Sequence, residues 1–202
     1  MAFLKFLKIS KGPARSMQDR GALAYMYVRL FLCLILINPF FIPSKLFARE
    51  SIVTSECELK TAYIYQFTKY VNWAKLKGDK KELIIGVIAN EDMVQALSRL
   101  NGRESQGMKI VVRSVEKGTE LSDIDILYLE KGYLTDDDVI LKAVKNHILT
   151  ISDEEDATHK GVIIGLFRSD SRLRFNINLK IADQSSLRLS SRLLSLANSL
   201  VK

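Results

Sequence analysis

Residues 49–202 of this 202-residue chain read as a single three-layer α/β domain. The expected architecture is a mostly parallel sheet with helices on both faces and an antiparallel hairpin near the C-terminus. Three observations predict it. Leu83-Ile84-Ile85-Gly86-Val87-Ile88-Ala89 is a continuous apolar run, the pattern of a strand buried on both faces. Strand-like and helix-like periodicities alternate from there to about residue 152, which implies parallel strands joined by crossover helices. Finally, Ser169-Asp170-Ser171 separates two strand-like runs, 162–167 and 172–179, as a hairpin turn would.

The elements follow in order. Ser55-Glu56-Cys57-Glu58 fits a capping box, in which the serine hydroxyl and the Glu58 carboxylate satisfy early backbone donors. The helix expected after it carries Leu59, Tyr63, Phe67, Tyr70 and Ala74 on one stripe and stops before Gly78-Asp79. After the first strand, Asn90 caps a helix whose apolar positions are Met93, Val94, Ala96, Leu97 and Leu100. Residues 109–113 and 124–129 read as the next two strands. Asp136-Asp137-Asp138 opens a helix that runs to about Lys145, with three carboxylates against the positive end of its dipole. His147-Ile148-Leu149-Thr150-Ile151-Ser152 is a fourth strand. Past the hairpin, Leu189, Leu193, Leu196 and Leu200 predict a final helix.

The first 48 residues are set apart by composition. They hold seven basic residues and one acid, then the apolar run Leu30-Phe31-Leu32-Cys33-Leu34-Ile35-Leu36-Ile37 and a small residue, Ala48. This is the layout of a secretory signal, with Met26 offering a more typical start. Asn38-Pro39 breaks the run short of the ~20 residues that span a bilayer. Leu32 before Cys33 does not suit a lipoprotein site. The expectation is therefore an exported protein of the periplasm, with a leader at 1–48 and a domain at 49–202. No Pro/Gly/Ser-rich linker divides the domain, and all three prolines lie in the leader.

Charge and motif content exclude several classes. The net charge of +7 comes from 30 basic and 23 acidic residues, and removing the leader leaves 23 against 22. A basic footprint for nucleic acid is thus absent from the domain. The histidines, His147 and His159, belong to no HExxH, CxxC or triad-like pattern, so no catalytic residue, metal or cofactor is expected. Asp153-Glu154-Glu155-Asp156 beside His159 reads as a solvated acidic loop rather than a cation site. Asn101-Gly102-Arg103 and Gly107 read as turns, because no helix N-terminus follows to cradle a phosphate. Export leaves one cysteine, Cys57, as a free thiol or as a link between two copies.

Three features are candidates for binding a partner or ligand. Within the aromatic set, Tyr63, Phe67 and Tyr70 follow the core stripe, whereas Tyr65 falls off it; Trp73 closes the run. Arg172, Arg174, Asn176 and Asn178 occupy alternate positions of one strand and so share a face, either solvated or docked on a charged partner. Ser190 and Ser191, with Leu187, Leu194 and Val201, form a second stripe on the last segment. That stripe packs either on the sheet or on a second copy, as a homodimer seam.

Three segments carry a resemblance. One is Leu59-Lys60-Thr61-Ala62-Tyr63-Ile64-Tyr65-Gln66-Phe67-Thr68-Lys69-Tyr70-Val71-Asn72-Trp73, an aromatic-rich run ending in tryptophan. The second is Leu83-Ile84-Ile85-Gly86-Val87. The third is Arg174-Phe175-Asn176-Ile177-Asn178-Leu179 with Leu187-Arg188-Leu189-Ser190-Ser191-Arg192-Leu193-Leu194-Ser195-Leu196-Ala197. Together they resemble the YfiR-like family of periplasmic repressors. The resemblance implies a non-enzymatic inhibitor of an inner-membrane receptor, a diguanylate cyclase above all, that lowers cyclic di-GMP. A small-molecule signal and a histidine kinase receptor are the alternative. Asp123-Ile124-Asp125 stands where members often place a disulfide cysteine, so the family's redox role is not carried over.

Overall fold

The run at 83–88 forms the strand from which the rest of the domain is laid out. The computed structural model describes residues 45–73, 80–116, 118–134 and 137–202, with backbone alone for 45–55 and 137. The leader through residue 44, Met26, Cys33, Ala74 and Asp136 lie outside the described residues. In β2 (Glu82–Ile88), alternate side chains enter opposite layers. Leu83, Ile85 and Val87 pack with Ile64, Phe67, Met93 and Leu97, while Ile84 and Ile88 pack with Ile124, Leu127, Ile140 and Ala143. Those two clusters are the two faces of the sheet. Gly86 interrupts the run because a Cβ there would lie 2.7 Å from Ile124 Cδ1.

The elements are α1 (Lys45–Phe67), β1 (Val71–Trp73), β2, α2 (Glu91–Ser98), β3 (Glu104–Ser105), β4 (Met108–Ser114), β5 (Ile126–Leu129) and α3 (Asp137–Lys145), followed by β6 (Leu149–Ser152), β7 (Ile164–Ser169), β8 (Arg172–Asn178), α4 (Leu179–Gln184), β9 (Leu187–Leu189), α5 (Ser191–Leu196) and β10 (Ser199–Val201). The main sheet has the order β10-β8-β7-β6-β5-β2-β4-β3. Strands β4, β2, β5, β6 and β7 are parallel, and β7–β8 is the antiparallel hairpin. Its turn residues Asp170 and Ser171 have φ of 50° and 61°, the double positive φ that matches the twist of a two-residue hairpin. The fold is the mixed α/β class expected.

Several boundaries differ from expectation. Ser55 lies inside α1 rather than at its cap, and α1 ends at Phe67 rather than near Gly78. Val71–Trp73 is instead a strand, paired with β9 in register Val71↔Leu189 and Trp73↔Leu187. The stripe is also rotated: Cys57, Lys60, Thr61, Ile64 and Phe67 are buried, whereas Leu59 is 41% exposed. Tyr63, Phe67 and Phe175 form an edge-to-face trio with centroids 5.1–6.3 Å apart, fixing α1 on the sheet. Each such pair is worth about 0.5–1.5 kcal/mol beyond burial.

His147 does not start β6. It adopts φ 61° at the end of α3, where its N–H donates to Val144 O and Ile148 N–H donates to Ala143 O. That bond pair is a Schellman stop, normally a glycine position. The final helix is corrected as well. Leu187 and Leu189 belong to β9, the helix is only Ser191–Leu196, and Leu200 lies in β10. The 3.6-residue leucine spacing there overlaps a period of two at 187 and 189, and pairing with β1 decides in favour of strand.

Candidate functional site

Two concave regions lie at one side of the domain, and both use α1. The first is at the carboxyl ends of the parallel strands. From β2 the chain crosses by α2 on one sheet face to β4, and from β5 it crosses by α3 on the other face to β6. The strand order therefore reverses between β2 and β5, the place where open α/β sheets usually bind ligands. Here the place is occupied from within. Glu130 accepts from Asn90 N at 2.6 Å and from Asn90 Nδ2 at 3.1 Å, while Asn90 Oδ1 caps α2 by accepting from Met93 N. Burial raises the Glu130 pKa, the neighbouring Asp153 charge adds to it, and the Asn90 amide opposes it.

One strand further on, an open cleft of about 670 Å³ borders the ends of β6 and β7. Its base is a chain of charges. Lys60, 9% exposed in its side chain, pairs with Asp153 at 2.6 Å and with Glu56, one turn back in α1, at 2.9 Å. Glu56 in turn meets Arg168 of β7 at 3.2 Å. Asp153 also accepts from Lys131 N, and Glu154 accepts from Gly132 N, both at 2.7 Å. Burial alone would lower the Lys60 pKa, but the hydrogen bonds it donates to Asp153 and Glu56 outweigh it and raise the value. The Lys60 hydrogen bond likewise holds Glu56 below the usual carboxylate range. Glu154 is lowered chiefly by the Gly132 amide. Close by, the Tyr128 hydroxyl is fully buried with no hydrogen bond of ordinary geometry; burial, then the Asp153 charge, raises its pKa. The acidic loop is thus partly built into the structure through Asp153 and Glu154. Among the described residues, no three His, Cys, Asp or Glu side chains gather as they would around a metal ion.

The second region is a shallow groove of about 560 Å³ beside β8. Strand β10 covers β8 along Asn176–Asn178 and Asn198 N donates to Phe175 O at 2.8 Å just before it, so Arg172–Arg174 is the stretch without a neighbouring strand on that side among the described residues. Leu59 and Tyr63 of α1 and Leu196 of α5 line it with Arg172 and Arg174. Tyr63 Oη donates to Leu173 O at 2.8 Å, so one edge carbonyl is already satisfied.

The sequence-predicted positions divide between surface and framework. Arg172, Arg174 and Ser191 are exposed, and Asn176 is half-buried, accepting from Asn198 Nδ2 at 3.2 Å. Tyr65 is half-buried, donates to Glu104 O, and lies under Lys69 Nζ at 4.3 Å. Two expected surface positions are corrected. Trp73 is 4% exposed and donates through Nε1 to Asp125 O, and Asn178 is 7% exposed. Asn178 Oδ1 caps α4 by accepting from Ile181 N, and Nδ2 donates to Thr158 O. Ser190 caps α5 through Leu193 N. The structure therefore gathers Arg172 and Arg174 in one groove and leaves Ser190, Ser191, Tyr65 and Trp73 outside its lining. Sequence reading missed Lys60, Glu56 and Arg168. Only the i,i+4 spacing of Glu56 and Lys60 signalled an ion pair.

Asn178→Ala is expected to cost about 2 kcal/mol, from a lost helix cap and an unsatisfied Thr158 carbonyl. Urea unfolding measures it, and an unchanged midpoint would show that α4 needs no cap.

The sequence profile of the YfiR/HmsC-like family matches residues 57–198. The chain belongs to the YfiR/HmsC-like family. The matched span runs from α1 to the segment before β10, so the charge chain apart from Glu56, the groove and the β1–β9 ladder lie within the YfiR/HmsC-like domain, a regulatory one. Among solved structures, the chain is similar to a conserved domain protein from Vibrio cholerae O1 biovar El Tor str. N16961, at 12% identity and a TM-score of 0.46. The alignment covers 69% of this chain and 59% of that one. A comparison with curated proteins returned no match.

Proposed function

We propose that this YfiR/HmsC-like chain is an exported, non-enzymatic regulator that binds and inhibits an inner-membrane receptor. The receptor is the periplasmic sensory domain of a diguanylate cyclase, so the bound state lowers cyclic di-GMP. The observation that carries the reading is the family match across residues 57–198. The leader composition supports export to the periplasm. The side-chain chemistry supports binding over turnover. Cys57 is buried, and burial raises its pKa, the opposite of an activated nucleophile. The charges at the cleft base pair with one another. Mechanistically, the regulator binds the inactive receptor conformation more tightly than the active one and shifts its population. An envelope signal acts by weakening that preference.

A second reading follows from the 670 Å³ cleft: a small-molecule-binding sensory module that works with a histidine kinase or another envelope receptor. Cyclic di-GMP in the native host separates the two. Deletion of the gene is expected to raise it, and a chain with residues 1–48 is expected to restore it while one lacking them does not. An unchanged level on deletion would rule out the cyclase role and favour the sensory module.

A further inference from the structure

The two concave regions lie side by side, sharing Leu173 and Asn198, yet their charge differs sharply. The cleft at the strand ends is lined by Glu56, Asp153, Glu154, Glu155 and Asp156 against three cations. The groove along β8 has two cations, Arg172 and Arg174, and no acid. Neither arginine side chain has a salt-bridge or hydrogen-bond partner among the described residues. The two arginines line the groove together with exposed apolar side chains: Leu196 is 63% exposed and Leu59 is 41% exposed. Unpaired cations beside exposed leucines at an uncovered strand edge are a surface suited to a partner rather than to water alone.

We propose that this groove is the docking surface for an acidic, amphipathic segment of the receptor. Carboxylates of that segment pair with Arg172 and Arg174 in forked, charge-assisted hydrogen bonds, and its apolar side chains cover Leu59 and Leu196. The proposal rests on the receptor-binding reading and names the surface responsible for it. The acidic cleft next door repels the same segment, which fixes the partner on β8 and sets its direction.

The test uses the full chain expressed in its native host, with a photo-crosslinking residue at Leu196 or, as a control, at Leu141 of α3 on the opposite sheet face. Crosslinking at Leu196 and not at Leu141, to a membrane-receptor peptide rich in Asp or Glu, is the expected result. R172E/R174E should lower the yield at least about tenfold, as expected when two complementary charges are reversed. Changing the crosslinked acids of the receptor to lysine should restore it. Crosslinks to a second copy, to residues 1–44 of the same chain or to a segment without acids would overturn the proposal, as would an R172E/R174E yield equal to the parent's. Periplasmic level and urea midpoint of R172E/R174E show whether it is folded. Leu196→Asp, with both arginines intact, provides a second variant. Cyclic di-GMP separates the two failures. If deletion leaves it unchanged, the cyclase reading fails while the crosslink still reports the surface. If deletion raises it but folded R172E/R174E represses like the parent, the surface is wrong and the repressor reading stands.

Discussion

Asp153→Ala is expected to destabilise the folded chain by about 3–5 kcal/mol, the largest single effect at the candidate site. Lys60 and Asp153 have side chains 9% and 12% exposed, so both charges have left most of their water. Their pairing offsets that desolvation, and removing Asp153 leaves the buried Lys60 charge with only Glu56, a third exposed, as its partner among the described residues. The alanine also strands the Lys131 amide, which donates to Asp153 at 2.7 Å. Lys60→Met should be milder, because a thioether of similar length fills the space and the Asp153 carboxylate left behind keeps the Lys131 N–H as a donor at 2.7 Å. The order of urea midpoints checks this: parent, then Lys60→Met, then Asp153→Ala. A Lys60→Met variant less stable than Asp153→Ala would mean that the ion pair is not what holds α1 to the end of β6.

The same charge chain sets a pH dependence. Glu56 has a folded pKa below its ordinary value, so its contribution is complete above about pH 4.5, the unfolded range for Glu. It is lost as pH falls through the lowered folded value. Glu130 has the opposite sign: its folded pKa is raised, so ionising it costs stability as pH climbs through that value. The two therefore act against each other, and Glu56, a third exposed in its side chain, is partly screened.

Long signals in the sequence were legible, and short or distant ones were not. The apolar run of β2 spans both faces of the sheet, so composition alone reads as a strand buried on both faces. Asn90 sits directly before an amphipathic stretch, and its cap forms as expected. By contrast, β1 is three residues long and exists only through its pairing with β9, more than a hundred positions away. No local periodicity encodes that. Helix α4 escaped notice because its cap, Asn178, also reads as the last polar position of β8. The Lys60–Asp153 pair spans 93 positions, and a lysine on an apolar face looks like a solvated residue until the fold supplies its partner. Arg172 and Arg174 were identified from strand alternation, but the leucines that make a groove beside them come from α1 and α5.

A second large effect is expected at Asp125, where Asp125→Ala should cost about 3 kcal/mol. The pairing of β2 with β5 begins at Ile85↔Ile126, one residue too late to satisfy the Ile84 amide through the ladder. The Asp125 carboxylate replaces the missing strand, accepting from Ile84 N at 2.8 Å and pairing with Lys80. Its carbonyl accepts from Trp73 Nε1 at 3.2 Å and from Leu149 N at 2.9 Å. One buried residue thereby ties β1, β2 and β6 to the start of β5. Alanine keeps the carbonyl bonds but leaves a buried N–H without an acceptor and Lys80 without a counter-ion. Asp125→Asn retains an acceptor for Ile84 and loses only the charge, so it should cost roughly 1 kcal/mol, as an exposed-side ion pair does. Urea denaturation of the two variants distinguishes the contributions. Equal losses would assign the effect to the Lys80 charge, whereas a wide gap assigns it to the amide at the edge of the central strand.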